Sequence, residues 1–300
     1  MSEVRDRDRR SSYLSRMLAE LDQIEQDYAG VIKRSTIHNI DPNRGSRGSG
    51  MVFIGYATRG WGPSDAALEA DRMDLLRRVR DWGPRYRLLF PHPVPTVSAR
   101  LDASLELLEA WGVRENGDHS VPESPERAAA MLASTVQDLR GLAALLPADE
   151  YGIRLTPDTN SLIDDPDLAA HTAELGPRYV AHLLPVVFGE LDDLKRSGRT
   201  PELREAAKKA DRRLKGLRNN GDVRVGARVS GEVFAVFEHT EPSAEGLPTW
   251  LDLSVPDDRF VAAALQLQSR HPGSVLYVAT GDLNMQNKLA AVGLPFVELP

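Results

Sequence analysis

Four acidic side chains carry the chemistry open to this sequence: Asp158, Glu190, Asp258 and Asp282. Asp158 follows the strand-like run 153–157 and opens DTNSLID. Glu190 lies in LPVVFGELDDL, Asp258 starts the helical stretch DDRFVAAAL, and Asp282 follows SVLYVA in TGDLNMQNK. Ligands of α/β sheets bind beyond the carboxyl ends of the strands, where such acids can converge. Four converging carboxylates repel one another strongly unless a cation lies among them. Hard oxygen donors suit Mg²⁺ or Mn²⁺. An ion held this way can activate water and steady a phosphoryl transition state. Each acid also has a purely structural reading. Asp158 can start an Asx-turn, Asp257 or Asp258 can cap a helix, Glu190 can be solvated beside Asp192 and Asp193, and Asp282 can be a loop acid. The four together, in this order, are more informative than any one.

The elements that must position these acids alternate after about residue 150. Residues 153–157 and 179–184 read as strands and 186–195 as a helix. Thr200-Pro201-Glu202 opens another helix, with Leu203, Ala207, Ala210, Leu214 and Leu217 on one face. Residues 223–229 and 232–239 read as a hairpin turning at Ser230-Gly231. Pro256 opens an Ala-rich helix, 274–279 is a buried-type strand, and 284–292 is a last helix. Such alternation predicts a mostly parallel α/β sheet. The first half reads as helical. Leu14, Met17, Leu18, Leu21, Ile24 and Tyr28 recur at helical spacing. Ser64 is the expected cap of a helix holding Leu68, Leu75, Leu76, Val79 and Trp82, and Leu101, Leu105, Leu108 and Trp111 mark another. Ser124, with Pro125 at the first helical position, starts a fourth. Residues 34–50 read as a loop and 51–57 as a short strand. The expected division is 1–148, a mainly α-helical domain, and 149–300, an α/β domain.

Composition narrows the function classes. Three hundred residues with 41% hydrophobic content support packed cores and suggest about two domains. A net charge of −7 excludes a wholly basic nucleic-acid binder but not a basic patch. The absence of cysteine excludes disulfides, zinc–thiolate sites, iron–sulfur clusters and Cys nucleophiles. MSEVRDRDRR is too charged for a signal peptide, and the longest apolar stretch, 179–188, is broken by His182 and Pro185. A cytoplasmic protein without a membrane partner is therefore expected. The histidines form no HExxH or HxH pattern, and GSRGSG lacks the Lys-Ser/Thr of a phosphate loop.

The C-terminal half resembles the PIN-domain nucleases. The residues that carry the resemblance are Asp158-Thr159-Asn160 after the first strand, LPVVFGELDDLK leading to Glu190, and DDRFVAAAL, where Asp258 lies three residues before Val261. The most specific is VLYVATGDLNMQNKLAAVGLPF, in which Thr280 and Asp282 close a strand. The resemblance implies a three-layer α/β/α domain with a mostly parallel sheet. It implies that Asp158, Glu190, Asp258 and Asp282 hold one or two divalent ions, Mg²⁺ or Mn²⁺. It further implies cleavage of single-stranded RNA to 3′-hydroxyl and 5′-phosphate ends. Thr159, Asn160 and Thr280 are then expected to order the acids through hydrogen bonds. Of the adjacent pair, Asp258 fits the spacing of the quartet better, and Asp257 fits as the helix cap. The spacing of 68 residues from Glu190 to Asp258 points to an insertion covering a basic helix and the hairpin.

That basic segment, 195–218, contains ten basic and three acidic residues. Such a concentration can track a phosphate backbone, and a solvated helix face is the alternative. Lys208, Lys209, Arg212 and Arg213 are the expected nucleic-acid contacts, with Arg224 and Arg228 extending the surface. Lys288, about one turn beyond Asp282, is placed to approach a scissile phosphate. Arg44, Arg47 and Arg59, with Trp61, could stack on and pair with nucleic acid, although an isolated Trp more often packs. The expected function is a metal-dependent endoribonuclease. The alternatives are a structure-specific DNA nuclease and a non-catalytic PIN-like nucleic-acid-binding or scaffold protein. Self-association, an inhibitory protein partner and the role of the helical half stay open.

Overall fold

A computed structural model of the chain describes residues 11–40, 58–115 and 120–298. The strand expected at 51–57, and Arg44 and Arg47, lie outside the described residues. Contacts divide the chain into two units: Met17–Leu146, and the residues from Pro147 onward together with those before Met17.

The unit Met17–Leu146 is built from helices α1 (Tyr13–Arg34), α2 (Ala66–Leu88), α3 (Pro95–Val113) and α4 (Pro125–Ala143), with a ribbon of β1 (Ile37–Ile40) and β2 (Thr58–Trp61). The residues that recur at helical spacing are the ones buried: Met17, Leu21, Ile24 and Tyr28 of α1, Leu75, Val79 and Trp82 of α2, Leu108 and Trp111 of α3, Leu132, Val136 and Leu139 of α4. Each such side chain contributes about 1.5–3 kcal/mol by leaving water. Polar tips find carbonyls: Trp82 Nε1 donates to Met17 O at 2.9 Å and Tyr86 OH to Leu139 O at 2.6 Å. Ser124 caps α4, accepting from Arg127 N–H at 3.3 Å. Two expectations are corrected here. The cap of α2 is Asp65, which accepts from Leu68 N–H at 2.7 Å, while Ser64 Oγ accepts from Arg72 Nη1 at 3.2 Å. The loop expected at 34–50 contains strand β1, paired antiparallel with β2 from Ile37–Trp61 to Ile40–Thr58. The partner strand lies beyond the window of a local reading, so the ladder leaves little sign in IHNI itself.

The first turn of α1 belongs with the C-terminal unit. Tyr13 N–H donates to Ser274 O at 3.0 Å, Leu14 N–H to Pro272 O at 2.9 Å, and Arg16 Nη1 to Gly293 O at 2.9 Å. In that unit the chain runs β3 (Ile153–Pro157), α5 (Thr159–Asp164), α6 (Thr172–Leu175), β4 (Arg178–Leu183), α7 (Pro185–Ser197) and α8 (Pro201–Gly216). It continues through β5 (Ala227–Ser230), β6 (Glu232–Phe237), α9 (Pro256–Arg270), β7 (Val275–Ala279), α10 (Leu283–Ala291) and β8 (Phe296–Val297). The strands form one sheet in the order β5-β6-β4-β3-β7-β8. All pairs are parallel except β5–β6. The helices flank this sheet, as an α/β/α domain requires. The central strands are buried almost without break, which is the signature of strands covered on both faces. The Ala-rich run of α9 is buried from Phe260 to Leu265, and its small side chains let the helix pack closely. The hairpin begins later than expected. Asp222 O accepts from both Val225 and Gly226 N–H, so 222–226 is a turn. Gly231, at φ 52°, supplies the left-handed residue between β5 and β6.

A buried polar network ties this sheet together. Arg154 of β3 donates to His182 Nε2 at 2.8 Å, to Ser274 Oγ at 2.9 Å and to Asp149 Oδ1 at 3.2 Å. Because Arg154 can only donate, His182 accepts at Nε2 and donates from Nδ1–H to Glu238 Oε1 at 2.8 Å. Arg270 holds the other oxygen of Glu238 at 2.8 Å, and His271 Nδ1 meets Asp149 Oδ1 at 3.0 Å. Burial, outweighing the pull of Glu238, lowers the His182 pKa to about 4. Burial works to raise Glu238, but His182 and Arg270 hold it at about 2. Among the described residues no helix is long and apolar enough to cross a membrane.

Candidate functional site

The chain passes from β3 to β4 and β6 on one side, then crosses back so that β7 and β8 lie on the other side of β3. The connections therefore diverge between β3 and β7, and the crevice for a ligand opens beyond their carboxyl ends. Asp158 and Asp282 stand there. Asp158 follows β3 and caps α5, its Oδ1 accepting from Ser161 N–H at 2.7 Å. Asp282 follows β7 and caps α10, its Oδ1 accepting from Asn284 N–H at 2.7 Å and Met285 N–H at 3.1 Å. Both helix N-termini favour negative charge at these positions. Each cap uses Oδ1 and leaves Oδ2 without a hydrogen-bond partner among the described residues. The strand ends are locked together, since Ala279 O accepts from Asp158 N–H at 2.9 Å and Ser161 Oγ at 3.0 Å.

The resulting cleft is lined by Asp158, Thr159, Asn160, Glu190, Pro256, Asp257, Phe260, Asp282 and Met285. Glu190 comes from α7, and Thr159 Oγ1 donates to its Oε2. Thr280 is fully buried, and its Oγ1 accepts from Asp282 N–H at 3.1 Å, so it positions that residue's backbone. Of the sequence-expected acids, Asp158, Glu190 and Asp282 line the cleft, and Asp257 lines it in place of Asp258. The cap position of α9 falls on Val255, not on Asp257. Neighbouring helical residues point about 100° apart, and here Asp257 faces the cleft while Asp258 does not. Asp258 turns inward instead. Its Oδ2 accepts from Asp252 N–H at 2.9 Å and its Oδ1 meets Lys288 Nζ at 2.7 Å. Burial works to raise its pKa, but Lys288 and the Asp252 N–H hold the carboxyl below its ordinary value. Lys288 also reaches Asp257 Oδ2 at 3.4 Å, and it does not line the cleft. The sequence signal that could have separated the two aspartates is Pro256 at the first helical position, which sets the phase of α9.

Among the described residues, four carboxylates and no basic side chain line this cleft. That donor set suits a hard divalent cation held by oxygen. Among the described residues no three of His, Asp or Glu are gathered closely enough to form a finished ion cage. Mutual repulsion of four like charges opposes such gathering until a cation supplies the compensating charge.

Helix α8 packs against both α5 and α7, the helices next to Asp158 and carrying Glu190. Its apolar stripe, Ala207, Ala210 and Leu214, is buried, while Lys208, Lys209, Arg212 and Arg213 are exposed. Lys208 pairs with Glu205 at 2.7 Å and Arg213 with Asp167 at 3.5 Å. Lys209 and Arg212 form no ion pair among the described residues. Arg224 is held by Asp222 at 2.7 Å. Arg59 lies 3.8 Å from Glu123, and Trp61 packs edge-on against Trp111 at 5.6 Å, so Trp61 offers no free stacking face on that side.

No curated protein matches the chain. Against family models, residues 155–299 match the PIN domain. The matched span starts in β3 and takes in the sheet, the four acids of the cleft and the basic helix. With this sheet order, these acids at its switch point and this match, the C-terminal half of the chain belongs to the PIN-domain family, whose members are in general nucleases.

Proposed function

We propose that the C-terminal unit is a divalent-cation-dependent endoribonuclease acting on single-stranded RNA. The observation that carries this reading is a cleft at the sheet's switch point, lined among the described residues by four carboxylates and no basic side chain. Asp158, Glu190, Asp257 and Asp282 would hold Mg²⁺ or Mn²⁺, with Asp257 taking the place that spacing alone assigned to Asp258. Once bound, the ion supplies a water of lowered pKa and offsets charge on the phosphoryl oxygens. The chain's own residues do the rest. The caps on α5 and α10 fix the orientation of Asp158 and Asp282, and Thr159 holds Glu190. Asn160, on the cleft wall, is placed to donate to a phosphate oxygen. Lys209 and Arg212 draw the RNA backbone toward the cleft. Lys288 keeps Asp257 and Asp258 in place and spreads its charge over both.

The test is cleavage of labelled single-stranded RNA, single-stranded DNA and a flap duplex, with EDTA and with added Mn²⁺ or Mg²⁺. Metal-dependent cutting of the single-stranded RNA is expected, and preference for the flap would move the reading to a DNA nuclease. Equal rates with and without EDTA would remove the role given to the four acids.

A further inference from the structure

Arg72 of α2 and Arg114, which closes α3, bring two guanidinium groups to the C-terminal end of α3. Arg72 Nη2 donates to Gly112 O at 3.0 Å and Val113 O at 3.1 Å, and its Nη1 donates to Ser64 Oγ at 3.2 Å. Arg114 donates from Nε to Trp111 O at 3.3 Å and from Nη2 to Ser35 Oγ at 2.6 Å. These bonds satisfy the last carbonyls of a helix, where positive charge is favoured. They do not exhaust the donors. Arg72 Nε, Arg114 Nη1 and the indole Nε1 of Trp61 are buried without an acceptor among the described residues. The three belong to one cluster, since the Arg114 guanidinium lies over the Trp61 ring, 4.2 Å from its centroid.

The charges are as unbalanced as the hydrogen bonds. Neither arginine makes an ion pair with a carboxylate among the described residues. Glu69, three residues before Arg72 on α2, acts on it only through space. Glu109 is engaged by Arg80 at 2.8 Å. Burial first, and then the neighbouring Arg72, lower the Arg114 pKa to about 10. Arg114 is also the one non-glycine residue with positive φ, 59°, among the described residues. A side-chain-bearing residue in that region is uncommon, and such backbone concentrates at functional sites.

Two cations without an acid, and three buried donors without an acceptor, among the described residues, call for the same complement. We propose that Arg72, Arg114 and Trp61 bind a phosphate group. A tetrahedral oxyanion carries acceptors for several N–H donors and charge for two guanidinium groups at once. The phosphate can belong to a small anion or to a polynucleotide backbone. The site lies in the unit Met17–Leu146 and does not depend on the nuclease reading.

The experiment titrates the full chain, in EDTA, with inorganic phosphate and separately with a single-stranded RNA oligomer bearing a 5′-hydroxyl. Parallel titrations use Arg72→Gln, Arg114→Gly and Arg114→Lys. Glycine accepts the left-handed backbone, lysine keeps the charge while losing the fork, and only variants whose melting curves match the parent's are compared. Parent binding that weakens 10-fold or more in the variants is expected. Loss confined to phosphate identifies a small-anion site, and loss confined to the oligomer identifies the backbone as source. Absence of parent binding to both probes, or variants that bind as the parent does, would overturn the proposal.

Discussion

Within the C-terminal unit, charged residues are used in two opposite ways on one sheet. Around Arg154 each carboxylate meets basic partners: Asp149 meets Arg154 and His271, and Glu238 meets His182 and Arg270, with the side chains of Arg154, Asp149, His182 and Glu238 buried. Beyond the ends of β3 and β7, four carboxylates share a cleft with no lining cation. A balanced buried network costs desolvation but leaves nothing for a ligand to supply. An unbalanced one retains binding potential. Changes in the two regions should therefore separate stability from activity.

The largest effect is expected in the cleft. Asp158→Asn or Asp282→Asn should lower RNA cleavage on the order of 100-fold or more, since a carboxylate facing the reaction is lost. Asparagine caps helices about as well as aspartate, so the melting temperature should stay within a few degrees. A variant that cuts at the parental rate would break the contrast. Arg154→Met tests the other side. Removing the central cation leaves Asp149 partly unpaired and His182 Nε2 without its donor in the interior, a loss of about 3–5 kcal/mol. Thermal unfolding should record it, while the rate per folded molecule should change little.

Acidification should act on the network in a defined window. His182 titrates near 6.5 unfolded and at about 4 folded, so the unfolded chain binds the extra proton in between. Stability is therefore retained above pH 6.5 and shed as pH falls toward 4, on the order of 2–3 kcal/mol. Glu238, held at about 2, adds further loss below the ordinary glutamate range. Melting curves from pH 7 to 4 should show this slope, and His182→Gln should flatten its upper part. The smallest effect belongs to α8. Lys209→Ala with Arg212→Ala should raise KM a few-fold and reduce the salt dependence of RNA binding by about 0.7 per residue in log–log slope. An unchanged slope would make α8 a solvated face only.

Much of this was legible in local pattern. The runs read at 153–157 and 274–279 form strands at 153–157 and 275–279, and the acids that follow them do stand at strand ends. The caps at Ser124 and Thr200 were readable because a cap is made within three residues. Asp65 rather than Ser64 was missed because adjacent residues both qualify, and packing sets the first turn. β1 was missed because its ladder is made with β2, about 20 residues away in sequence.

Sequence was sufficient for the kinds of elements and the chemistry at their ends, because strand and helix periodicity and capping are decided by backbone sterics over a few residues. Only tertiary structure placed Asp257 in the cleft and Asp258 against Lys288, since the facing side of a helix depends on what it packs against. It also set the crossing from β6 to β7 that opens the crevice, and the meeting of Arg72 with Arg114. Such placements depend on contacts between distant residues, whose free energy appears only when the whole chain is assembled.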